Sequence, residues 1–159
     1  MIDFAKKIRK SCAADLLDGE EVHAATFVQP SGAIRRQVAF GAVGGAVGAG
    51  IAALVTSGTS NEEDAPSEGM AVDIPAGKAV LGITDQRFLV FGHSALSGKP
   101  KGLNAAFPLD QIMSLEHESG KLTGKLVVTF ADETNIEFDV MKTVKPGPFV
   151  EAFHSVTGR

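Results

Sequence analysis

The chain has 159 residues, 44% of them hydrophobic and 21% charged, which is the length of one domain with enough apolar side chains for a core and excludes general disorder. Neither Trp nor Tyr is present, so ten Phe are the only aromatics and are expected to mark that core. The net charge of −4 offers no long-range attraction for nucleic acid or an acidic membrane, so affinity of that kind must come from a local patch. With Cys12 as the single cysteine, an intrachain disulfide and a cysteine-rich metal site are excluded, and a packed thiol in a reducing, cytoplasmic setting is the simpler reading.

The first ten residues carry Lys6, Lys7, Arg9 and Lys10 without a following apolar run of signal-peptide length, so export by that route is not expected. Over residues 3–17, Ala5, Ile8, Cys12 and Leu16 recur at spacings of three and four, while the basic residues turn mainly to another side. That pattern predicts an amphipathic helix packed on the core, whose basic side offers a contact for anionic lipid as the functional alternative. Residues 20–28 read as a first strand, ended by Gln29-Pro30-Ser31-Gly32.

The composition then changes. Residues 38–55 contain no charged or polar side chain, follow Arg35-Arg36, and lead into a Ser/Thr/Asn stretch with the acidic run Glu62-Glu63-Asp64. Residues 31–69 therefore read as an insertion with a solvated linker. Gly41, Gly45 and Ala49 repeat every four residues, as do Gly44, Gly48 and Ala52, so a helix here has small faces that another backbone can approach. Five glycines, each costing about 1 kcal/mol relative to Ala in a helix, favour the plainer alternatives of a buried helix or a glycine-rich loop. Eighteen helical residues would span about 27 Å, near the roughly 30 Å of a bilayer core. A single crossing would nevertheless put the strands before and after it on opposite sides. Entry from one face, or packing on a second copy, is the expectation, with Arg35, Arg36, Phe40, Gly41, Gly44, Gly45, Gly48, Ile51 and Leu54 as the membrane or oligomer contacts.

Residues 78–93 organise the rest. Two β-branched and aromatic runs flank Asp85-Gln86, the signature of a hairpin. With Thr84 opposite Arg87, one face carries Leu81, Ile83, Phe88 and Val90, and the other carries Val80, Leu89 and Phe91 beside the bare backbone of Gly82. Both faces are apolar, so other strands must close over one and something must cover the other. Further strands are expected at 103–109, 112–117, 122–130 and 135–141. In the last, Ile136, Phe138 and Val140 alternate with a wet Glu137 and Asp139. Pro146-Gly147-Pro148 opens a final helix with Phe149, Phe153 and Val156 on one side.

The run Val80-Leu-Gly-Ile-Thr84-Asp-Gln-Arg87-Phe-Leu-Val-Phe91 resembles the second and third strands of bacterial pleckstrin-homology-like (PH-like) and GRAM-like domains, in which a Leu-Thr-x-x-Arg-Leu hairpin recurs. Pro108-Leu-Asp-Gln-Ile112 is similar to their connection into the fifth strand. The resemblance implies a mainly β fold: a seven-stranded antiparallel barrel capped by the C-terminal helix, over residues 19–30 and 70–157. The N-terminal helix (1–18) and the insertion (31–69) stand outside it. It also implies a non-catalytic binding or scaffold module, often found at membranes or in assemblies. The chain departs from the eukaryotic pattern in lacking a Trp in the last helix and the basic phosphoinositide motif, apart from Arg35 and Arg36, so specific inositol-phosphate binding is not implied.

Chemical motifs are weak. Residues 48–53 match the G-x-G-x-x-A dinucleotide turn, but no parallel βαβ unit surrounds them, and the Rossmann-type flavin or nicotinamide enzyme is the weakest reading. Gly92-His-Ser94-Ala-Leu96 misses the nucleophile elbow at Leu96, where Gly is needed. His23, His93, His117 and His154 form no close pair at metal-binding spacing, and His117 points away from Glu116 and Glu118 on a strand. The expectation is therefore no catalytic, cofactor or metal site, and a cytoplasmic module, peripheral at the inner face of the membrane, that takes a protein partner, itself or lipid but no nucleic acid. The competing reading is a soluble structural protein whose insertion packs on its own barrel.

Overall fold

The computed structural model describes residues 2–31, 70, 74, 77–121 and 123–159. These form α1 (Phe4–Ser11), β1 (Val22–Pro30), β2 (Ala79–Thr84), β3 (Arg87–His93), β4 (Pro100–Pro108), β5 (Ile112–Glu118), β6 (Thr123–Phe130), β7 (Asn135–Met141) and α2 (Gly147–Thr157). The strands make one antiparallel sheet in the order β4-β3-β2-β1-β7-β6-β5. Five strand steps separate β4 from β6, about 24 Å in a flat sheet at ~4.8 Å per step. The rings of Phe107 on β4 and Phe130 on β6 nevertheless lie 4.9 Å apart, so the sheet is curled around a common core. Leu81, Ile83, Phe88, Val90, Leu115, Leu126, Val128, Phe138 and Val140 fill it. The expected mainly β architecture with a closing C-terminal helix is what the chain adopts.

The hairpin pairs in the expected register, with Ile83 opposite Phe88 and Val80 opposite Phe91. Its second apolar face is covered by α1: Phe4, Ala5, Ile8 and Cys12 form a second cluster with Val22, Val80, Leu89 and Phe91. Gly82 makes that contact possible, since a Cβ there would stand 3.2 Å from Ile8 Cδ1. Asp3 caps α1 by accepting from the Lys6 amide at 2.9 Å, and Arg9 and Lys10 occupy the last turn, where positive charge suits the helix dipole. A 3-10 turn (Ala13–Asp15) follows and leads into β1.

At the other end, α2 packs on β1, β2 and β5. Phe149 and Phe153 are buried, with Phe149 edge-on to Phe88 at 6.3 Å between centroids. Gly158, at φ 69°, ends the helix by donating its N–H to the His154 carbonyl at 2.9 Å.

Four boundaries and one burial differ from expectation: α1 ends at Ser11, short of the expected residue 17, because the chain passes at Cys12 into the 3-10 turn. β1 extends to Pro30 because Gln29 and Pro30 pair with Asp139 and Phe138 of β7; Pro, which has no N–H, is tolerated at a strand end. Glu20 instead leaves the strand for an ion pair. β4 begins at Pro100 because Gly92 and His93 keep pairing past two register shifts. Asp139 is buried, not wet, and stands opposite the likewise buried Gln29 of β1. Its Oδ2, like Gln29 Oε1 opposite, has no hydrogen-bond partner among the described residues.

Candidate binding surface

The Thr-x-x-Arg hairpin performs a structural task. Thr84 Oγ1 accepts from the amides of Gln86 (3.1 Å) and Arg87 (2.8 Å), which closes a turn whose Asp85-Gln86 pair lacks the usual Asn-Gly chemistry. The same hydroxyl donates to Glu20 Oε1 at 2.7 Å. Arg87 grips Glu20 with two parallel bonds, Nε to Oε1 at 2.9 Å and Nη2 to Oε2 at 2.6 Å, and also donates to the Asp15 carbonyl. The Glu20 side chain is fully buried and that of Arg87 is 18% exposed. Burial alone would push the Glu20 carboxyl up. The bonds from Arg87, the Leu17 amide and Thr84, with the Arg87 charge, together hold it below the usual carboxylate range. Glu20, which completes this motif, carries no local sequence signal because it lies 64 positions before Thr84.

The strand pairings gather four chain segments at one end of the sheet. Val28 stands opposite Ala79, Ala79 opposite Gly92, and His93 opposite Pro100. The end of β1, the start of β2 and the β3–β4 turn therefore share one edge, and the N-terminus of α1 joins them, since Phe4 stacks on Phe27 with ring centroids 6.0 Å apart. Lys7 Nζ donates to the Gly98 carbonyl at 2.8 Å, tying helix to turn.

Two concavities lie here. A groove of about 380 Å³ is lined by Ile2, Asp3, Lys6, Lys7, Lys10, Ser11 and Lys99. Four of those seven residues are lysines, while Asp3 is engaged as the helix cap. Ile2 is 60% exposed beside it, and Leu96, at the tip of the same turn, is fully exposed. The second concavity, about 570 Å³, lies between α1, β1, the end of β3 and the segment after β7. Phe4, Phe27, Met141 and Val144 give it an apolar wall, and Lys7 and His93 face it. His93 packs on Phe27 at 4.6 Å, and its Nδ1 is shielded without a hydrogen-bond partner among the described residues. Burial, then the charges of Lys78 and Lys7, push the His93 imidazole below its usual value, so the neutral ring is favoured.

The lysines of the first helix and of the 94–102 loop are both visible in the sequence; their convergence is not. The wall made by Phe27, His93 and Met141 has no sequence signal, because the three residues come from different strands and meet only through the register. Ser94 is a turn former, its Oγ accepting from the Ser97 amide at 3.3 Å. His117 packs against Gly124, where a Cβ would stand 2.7 Å from its Nε2. Cys12 is buried as expected; burial and then the Asp15 charge raise its thiol pKa despite a bond involving Gly102 that acts the other way. Among the described residues no group of three or more His, Cys, Asp or Glu is placed to hold a metal ion, and no helix is long and apolar enough to cross a membrane. The glycine-rich segment, the dinucleotide-like turn and the contacts expected at Arg35, Arg36, Phe40, Gly41, Gly44, Gly45, Gly48, Ile51 and Leu54 lie outside the described residues.

No family model and no curated protein matches the chain. Among solved structures it is similar to a DUF1696 family protein with a pleckstrin-homology domain from Shewanella loihica PV-4, at 8% identity and a TM-score of 0.50, with 98% of this chain and 94% of that one covered. Together with the curled seven-stranded sheet and its closing helix, the likeness shows a PH-like fold.

Proposed function

We propose that this protein is a non-catalytic PH-like binding module that attaches to an anionic membrane surface through the loop end of its sheet. The observation that carries this reading is the joining of Lys6, Lys7 and Lys10 on α1 with Lys99 on the β3–β4 turn, flanked by the exposed Ile2 and Leu96. A chain of net charge −4 needs such a local patch to approach anionic lipid at all. Each lysine close to the surface contributes about 1 kcal/mol, screened over roughly 10 Å at 0.1 M salt, and the exposed Leu and Ile add apolar contact.

Segment 32–69 lies between Ser31, which follows the end of β1 on this edge, and Met70, whose N–H donates to Asp132 Oδ2 in the β6–β7 turn at 2.7 Å. That attachment supports a supplementary role for Arg35, Arg36 and the apolar residues 38–55 in the same contact, or in self-association through their small-residue faces.

Sedimentation with phosphatidylglycerol-containing vesicles tests the reading. The full chain is expected to bind them at low salt, to release above about 0.5 M salt, where screening is short-ranged, and to ignore purely zwitterionic vesicles. The triple variant Lys6→Glu, Lys10→Glu, Lys99→Glu is expected to lose at least about tenfold in partition. Equal binding by the variant, or none by the native chain, would overturn the proposal. Deleting residues 33–69 separates the two supplementary roles: loss of partition marks a lipid contact, and a change in sedimentation coefficient without lipid marks self-association.

A further inference from the structure

From the 570 Å³ concavity, which adjoins the lysine groove and shares Ile2 and Lys7 with it, we infer a second binding site for a single-chain anionic amphiphile: an acyl chain of fatty-acid type with a carboxylate or similar head, taken up as a monomer. The volume lies within the roughly 300–1,000 Å³ of small-molecule sites, and such sites combine mostly apolar walls with a few placed polar groups. Here Ile2, Phe4, Phe27, Met141 and Val144 supply the wall, and no carboxylate is among the ten described residues that line it. Among the described residues Lys7 is the one lysine or arginine facing the cavity. It gives one donor to the Gly98 carbonyl and stands 5.3 Å from the Phe4 ring centroid, so it is fixed at the junction of polar rim and apolar wall with further N–H donors for an anion.

Charge and shape decide the chemical class. A cationic ligand meets Lys7 and the nearby Lys78, and a neutral polar ligand finds few fixed groups to satisfy its hydrogen bonds. An anionic head suits Lys7, with the hydroxyls of Ser97 and Thr143 also lining the site. The wall is adaptable: Met141 is unbranched and 42% exposed, and Ile2 is 60% exposed, so both can settle onto a flexible chain. His93, kept neutral, adds an apolar ring face beside Phe27 and leaves the fixed positive charge on lysine.

The test uses the full chain and carboxyl-labelled laurate below its micelle concentration, followed by NMR. Saturable binding of one laurate per chain is expected. Dodecanol and dodecyltrimethylammonium, with the same chain and no negative head, are expected to bind about tenfold or more weakly, the scale of one charge-assisted hydrogen bond. Lys7→Gln should weaken laurate by a similar factor and leave dodecanol unchanged. Met141→Trp, at an exposed position and with no other Trp in the chain to obscure its fluorescence, should block laurate while circular dichroism and denaturant midpoint stay native. Absence of saturable binding, equal binding of laurate and dodecanol, or unchanged laurate binding by a folded Met141→Trp would each overturn the inference. Vesicle sedimentation of the same protein is read separately. Binding to vesicles without laurate uptake sinks this site alone, and laurate uptake without vesicle binding sinks the surface-docking proposal alone.

Discussion

At the position of Glu20 a carboxylate without solvent contact accepts from Arg87, Thr84 and the Leu17 amide, and through them joins the entry of β1 to the turn between β2 and β3. A buried pair of this kind adds modest net stability as a pair, but removing one partner strands the other charge. Arg87→Met is therefore expected to destabilise by about 3 to 5 kcal/mol. The double variant Glu20→Met with Arg87→Met should recover much of that loss. Denaturant midpoints of the four proteins of the cycle check it, and a double variant whose loss equals the sum of the two single losses would show that the pair is not coupled. Thr84→Val keeps the volume and removes both the turn acceptor and the donor to Glu20, so it should also weaken the hairpin, by less than the Arg87 variant.

At the scale of elements, the two helices cover different faces of the sheet. α2 is anchored by Phe149 and Phe153, the latter 1% exposed, and Phe153→Ala is expected to cost about 3 to 5 kcal/mol, much of the stability of a small domain. A denaturant midpoint near that of the native chain would show that the helix is not integral to the core. α1 shields Val80, Leu89 and Phe91, which would otherwise be an exposed apolar patch on a central hairpin. A chain lacking residues 1–12 is therefore expected to keep its far-ultraviolet strand signal and to bind a hydrophobic dye such as anilinonaphthalene sulfonate more strongly than the intact protein does. Gly82→Val should produce a milder version of the same exposure, because its side chain would occupy the space held by Ile8 Cδ1. The cluster around Ile8 also accounts for Cys12, whose thiol is expected to react with a disulfide reagent only at the rate at which α1 leaves the sheet.

For the whole molecule, acid stability follows from two groups of opposite kind. Folding lowers the Glu20 pKa, so its contribution is complete above the ordinary carboxylate value of 4.5 and is lost as pH falls through the folded value. Folding also lowers the His93 pKa, first through burial, so the unfolded chain takes up that proton before the native one. Stability therefore declines as pH falls below 6.5 and stops changing on this account below the folded value. Two separate declines on acidification are expected in denaturant midpoints. His93→Phe should flatten the first and Glu20→Gln the second, and a profile that His93→Phe leaves unchanged would mean that this ring does not titrate between the two states.

Periodicity by itself determined the elements and their faces. The two runs of residues 80–83 and 88–91, β-branched and aromatic on both sides of a polar break, admit little else than a hairpin apolar on two faces, and its register is the one that a two-residue Asp85-Gln86 turn gives. The spacing of Ala5, Ile8 and Cys12, and of Phe149 and Phe153, likewise decided two packed helices. These are local signals, carried by residues a few positions apart. Which element covers the second face of the hairpin, that Glu20 completes the Thr84 and Arg87 turn, that Asp139 is buried, and that Lys99 joins Lys6, Lys7 and Lys10 around a groove beside Phe27, His93 and Met141 were decided only by the tertiary structure. Each depends on strand order and on the curl of the sheet, and those follow from how separate apolar faces share one core, a condition on the whole chain that no single stretch of sequence expresses.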